Sequence, residues 1–164
     1  MGEAKTGVEF ITHEFDEAIA IQRSIVEAET TLATKHPVAS AKRAIKESLS
    51  ADQTFLKQLE TLGKPHGATG KVEDVASGLT ELMSETLGTA VTEGADSDFY
   101  EAHAVLLNLK RKQMDSAGGM LAIARDHKDG ELRKASIAFR RAQTASSKTL
   151  TDELAAYAVQ IAAA

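Results

Sequence analysis

The chain has 164 residues, a formal net charge of −5 and no cysteine. That length fits one domain able to bury roughly 70% of its unfolded surface without a disulfide or metal. The missing thiols exclude disulfides, Cys-type zinc sites and thiol catalysis, and the acidic balance argues against a nucleic-acid binder, which needs a basic face.

The N-terminal MGEAKTGVEF lacks the basic start and apolar run of a signal peptide, and no stretch approaches the roughly 18 consecutive apolar residues of a membrane span. A cytoplasmic protein with no membrane span is expected. Aromatic residues are only 4% of the chain and alanine, the strongest helix former, is abundant.

Periodicity places five helices. The first, over 7–34, opens on a capping-box pattern of Thr6 and Glu9. Its inward stripe is Val8, Ile11, Phe15, Ala18, Ile19, Ile25, Val26 and Leu32, with Gln22 and Glu29 on the same face. His36-Pro37 breaks the pattern. A second helix over 37–62 carries Val38, Ala41, Ile45, Leu49, Phe55, Leu56, Leu59 and Leu62 inward, with Asp52 on that stripe. The short link makes the two an antiparallel hairpin.

Residues 63–70 read as a flexible loop; a phosphate cradle is disfavoured because the glycines lack P-loop spacing and follow no strand. A shorter helix over 72–91 points Val72, Val75, Leu79, Leu82, Met83, Leu87 and Val91 inward, and Gly78 and Gly88 weaken it. A second loop covers 92–97. Asp98 and Glu101 suggest a cap for the fourth helix, 98–127, whose stripe is Phe99, His103, Leu106, Leu107, Met114, Leu121 and Ala124. Gly118-Gly119 predicts a bend or a close helix contact there. Asp129 caps the fifth helix, 131–161, with Leu132, Phe139, Leu150, Leu154 and Tyr157 among its inward residues. The expected fold class is all-α: a single domain over 1–164, two hairpins joined by a long crossover that contains the short helix.

With Phe55-Leu-Lys-Gln-Leu-Glu-Thr-Leu-Gly-Lys-Pro65 ending the first hairpin and Val75-Ala-Ser-Gly-Leu-Thr-Glu-Leu82 in the crossover, the chain resembles the ferritin-like superfamily, most closely the YciE/YciF family of bacterial stress-associated proteins. The resemblance implies a ferritin-like four-helix bundle with an extra short helix in the crossover. Di-iron members carry a Glu on each of two helices and Glu-x-x-His on each of the other two. This chain has no Glu-x-x-His, and it reads Lys110-Arg111-Lys112-Gln113 and Ala142-Gln-Thr-Ala-Ser-Ser-Lys148 where the second ligand set belongs. Cations repel a metal ion, and alanine and serine cannot replace carboxylates.

No catalytic or cofactor-binding residue is therefore assigned, and no metal. Glu29, Asp52 and His103, with Gln22 beside them, are the candidates should a mixed carboxylate–imidazole site exist; the favoured reading is interior hydrogen bonding, with Asp52 paired to Lys110 or Arg111. Lys110-Arg-Lys112 and Arg140-Arg141 otherwise read as solvated helix faces.

The expected function is a non-catalytic structural or protein-interaction module that associates with itself into a dimer or larger homo-oligomer. The alternative is a metalloprotein using iron or manganese for oxidation or storage. A granule-coating amphipathic protein of the phasin type is a third reading, less suited to glycine-punctuated hairpins.

Overall fold

The computed structural model describes residues 4–164, with the backbone alone at position 74. It is all-helical: α1 (Gly7–Lys35), α2 (Ala39–Gly63), a 3-10 turn (Lys64–His66), α3 (Asp74–Glu93), α4 (Asp96–Asp126) and α5 (Gly130–Ala162), with no strand among the described residues. None of these helices is long and apolar enough to cross a membrane.

The four long helices pack in a ring. α1 lies on α2, α2 on α5, α5 on α4 and α4 on α1, while α3 covers the outer side of α1 and α4. α3 therefore buries one narrow face, through Ala76, Met83, Leu87 and Ala90. The wider inward stripe expected for it is not formed: Val75, Leu82 and Val91 are exposed, as is Val8 at the start of α1.

Local chemistry sets the ends of the helices, and corrects three expectations. Asp129 does cap α5, its Oδ1 accepting from the Leu132 N–H at 3.0 Å. Thr6 stands at the N-cap of α1 but makes no side-chain capping bond. The loop expected over 92–97 shrinks to Gly94 and Ala95, because Gly94 (φ 74°) takes the left-handed conformation that ends α3 and gives its N–H to the Ala90 carbonyl. α4 then starts at Asp96, with Asp96 and Asp98 in its first turn favouring the positive end of the helix dipole. Asp98 thus lies inside the helix instead of capping it. Gly118 and Gly119 mark no close approach: a Cβ at Gly119 would meet nothing within 4 Å, and one at Gly118 only the Arg140 guanidinium at 3.8 Å.

The link after α2 is pinned rather than flexible. The Asp16 carboxylate accepts the N–H groups of Thr69 (2.8 Å) and Gly70 (2.9 Å), Thr12 donates to the His66 carbonyl (2.9 Å), and Arg23 to that of Thr69 (3.1 Å). The backbone donors a phosphate would use are already held by Asp16.

The interior is not one continuous apolar volume. One cluster, including Ile25, Leu32, Ile45, Met83, Leu106 and Leu150, fills the end nearest the α1–α2 turn. A second, including Phe15, Ile19, Leu59 and Met120, fills the other end, where Phe55 and Phe139 stack with centroids 4.0 Å apart. On each long helix, polar residues sit between the two clusters.

Candidate functional site: a buried polar layer

Each long helix sends polar side chains into this layer: Gln22 and Glu29 from α1, Ser48 and Asp52 from α2, Lys110 and Gln113 from α4, Gln143 from α5. All except Ser48, at 6%, have no measurable exposure. Lys110 is the hub. Its Nζ donates to Asp52 Oδ2 at 2.8 Å, to Glu29 Oε2 at 3.3 Å and to Ser48 Oγ at 3.4 Å. An ammonium has three N–H bonds, so this set uses all of them. The expectation that Lys110 belongs to a solvated face is thus corrected, while of the two partners anticipated for Asp52, Lys110 or Arg111, the structure selects Lys110. Arg111, one residue on, turns outward to Asn108.

The remaining acceptors of Asp52 are also met. Gln143 donates to Oδ1 at 2.8 Å, and Gln22 donates to Oδ1 at 3.2 Å and to the Asp52 carbonyl at 2.9 Å. Gln113 donates to Gln22 Oε1 at 3.1 Å and to the Ala18 carbonyl at 2.7 Å. The network is therefore continuous across the bundle.

Charge balance decides its protonation. Two ionised carboxylates against one ammonium would leave a net negative charge in a dry interior, which is costly. Burial, and then the hydrogen bond to Asp52, push the Glu29 carboxyl up to about 9, against the opposing pull of Lys110 and Ser48. Glu29 thus keeps its proton at neutral pH. Ser48 and Lys110 both donate to Oε2. The centre becomes one ion pair plus one neutral acid.

His103 is elsewhere. It lies two turns from Lys110 on α4, about 10 Å along the axis, and its ring bonds to His36 (3.3 Å) and to the Leu150 carbonyl (2.9 Å). Of the three candidate residues, the fold joins Glu29 to Asp52 and keeps His103 apart. A second group of potential ligands is His13, Glu14 and Glu17 on α1, with donor atoms within 4.8 Å of one another. Cations already attend it: Lys5 contacts His13 at 3.0 Å and Lys112 contacts Glu17 at 3.7 Å.

Sequence reasoning marked Gln22, Glu29, Asp52 and His103 as polar residues on apolar stripes, and Lys110 or Arg111 as a partner for Asp52. It missed Ser48, Gln113 and Gln143, whose usable signals were weak: Gln113 lies one turn after Lys110, and Gln143 one turn after the inward Phe139. It also missed His36, which reads as loop because proline follows it. No protein-family model and no curated protein matches the chain.

Proposed function

We propose that this chain is a ferritin-like bundle whose central cation is its own lysine, working as a non-catalytic structural or protein-interaction module that associates with further copies of itself. The Lys110 ammonium carries this reading. It lies between Asp52 and Glu29 at mid-height, where a metal ion would need those same oxygens. A fixed positive charge bonded to both carboxyl groups competes directly with a divalent cation, and a protonated Glu29 is a poor ligand.

The ring order, with a long crossover carrying α3 between two hairpins, supports the ferritin-like part. The resemblance to YciE/YciF proteins adds a role in bacterial stress physiology, in the cytoplasm. The alternative of iron or manganese held by Glu29, Asp52 and His103 has less support, since His103 is bonded into a different network.

The test is elemental analysis of protein purified from cells supplied with iron and manganese, with light scattering on the same sample. Well under one metal ion per chain and a mass above that of one chain are expected. Stoichiometric metal lost on Asp52→Asn substitution would overturn the first part, and a strictly monomeric particle the second.

A further inference from the structure

His36 and His103 are both buried, at 1% and 0% exposure, and they form one hydrogen-bonded relay across three segments. The Val38 N–H meets His36 Nδ1 at 3.1 Å, His36 Nε2 meets His103 Nδ1 at 3.3 Å, and His103 Nε2 meets the Leu150 carbonyl at 2.9 Å. The direction of the relay is fixed by its ends. A backbone N–H only donates, so His36 Nδ1 is bare and its hydrogen is on Nε2. A carbonyl only accepts, so His103 carries its hydrogen on Nε2 and receives the His36 hydrogen at Nδ1. Every ring nitrogen is used once, and both rings are neutral.

An added proton has no vacant place. On His36 Nδ1 it would oppose the Val38 N–H; on His103 Nδ1 it would oppose the His36 N–H. Shifting the His36 hydrogen to the other ring nitrogen only moves the conflict back to Val38. We propose that the relay is a proton-operated latch: with both rings neutral it ties the α1–α2 corner to α4 and α5, and one proton parts it and frees the corner. The freed corner uncovers Phe99 and Tyr157, whose rings pack against His36 with centroids 6.2 and 5.1 Å away.

The charged and titratable groups around the relay do not undo this. From α2, Lys42 opposes a charged His36; from α4, Asp96 favours it; from α5, Glu153 favours a charged His103. Both carboxylates have other partners: Asp96 accepts from the Tyr157 hydroxyl at 2.6 Å, and Glu153 from Ser40 at 2.7 Å. Tyr100 reaches Tyr157 rather than the imidazoles. Burial outweighs the attraction, holding His36 down to about 4 and His103 below its ordinary value. The latch is independent of what the polar layer does.

The experiment is amide hydrogen exchange on the full chain between pH 7.5 and 4.5, corrected for the intrinsic pH dependence of exchange. Protection of the Lys42 amide, which bonds to the Val38 carbonyl, should fall as pH drops below 6.5, by up to about tenfold per pH unit for each imidazole. Leu106 and Leu109 in α4 should keep their protection. His36→Asn retains an acceptor for the Val38 N–H without a titrating ring, and together with His103→Asn it should flatten the response. A flat profile in the unsubstituted protein, a parallel loss at Leu106 and Leu109, or an unchanged profile in the double variant would overturn the latch. Should that variant fail to fold, ring NMR of the unsubstituted protein decides. Imidazoles that titrate near 6.5 while Lys42 stays protected refute the latch; titration coincident with corner opening supports it.

Discussion

Replacing the Lys110 ammonium with a methionine of similar length leaves Asp52 ionised in a dry interior, its Oδ2 without the donor it has now. Breaking a buried ion pair from one side costs about 3–5 kcal/mol, so Lys110→Met should lower the urea midpoint by a corresponding amount. Adding Asp52→Asn removes the orphaned charge while keeping an Oδ1 acceptor for Gln22 and Gln143. The double variant should recover at least half of the loss. A single variant as stable as the parent would mean that the pair contributes nothing. At this scale the sequence was partly legible. Glu29 and Asp52 stand out because an acid on an apolar stripe needs an explanation. Lys110 is only one of two candidate partners for Asp52, since a lysine within Lys-Arg-Lys otherwise looks solvated, and the choice over Arg111 waits on α2 bringing the carboxylate to it.

The helices themselves test the logic of their ends and interiors. Gly78 and Gly88 in α3 have no heavy atom within 4 Å of an added Cβ, so Gly78→Ala and Gly88→Ala should each stabilise by up to about 1 kcal/mol. Gly94 has the same open surroundings but φ is 74°, and Gly94→Ala should cost about 1 kcal/mol. Thermal melts of the three variants should move in those opposite directions; a stabilising Gly94→Ala would refute the conformational account of the α3–α4 link. Helix positions were readable because apolar spacing and the strong punctuation at His36-Pro37, 63–70 and Asp129-Gly130 agree. The exposed Val75, Leu82 and Val91 were misread for a definite reason. Periodicity reports that a face is apolar, while the number of neighbours decides how wide a face is covered, and α3 has only α1 and α4.

For the molecule as a whole, the two buried systems act on stability with opposite sign. The Glu29 carboxyl is raised from 4.5 to about 9. The folded state therefore holds a proton the unfolded chain releases, and this contribution is fully present below pH 4.5 and lost as pH rises towards 9. His36 is lowered from 6.5 to about 4, so its contribution is present above pH 6.5 and lost as pH falls through 4. Between 4.5 and 6.5 the Glu29 slope is opposed by that of His36, and by that of His103, which burial also lowers. Above that range Glu29 alone should erode stability by up to about 1.4 kcal/mol per pH unit. Urea unfolding from pH 6.5 to 9 should show this decline, and Glu29→Gln should remove it. An equally steep decline in that variant would locate the proton on another group.

Alone, the sequence determined the helical class, the approximate ends of each helix and the hairpin pairing, because these follow from spacing and turn chemistry within a few residues. It also shows that the chain contains no Glu-x-x-His pair of the di-iron kind. Only the tertiary structure decided that the interior is split by a polar layer, that a lysine neutralises it, and that His103 belongs with His36. Those facts depend on the relative height of side chains on helices far apart in the chain. A one-residue change in helix register moves a side chain by about 1.5 Å along the axis and about 100° around it, and no local pattern encodes that alignment.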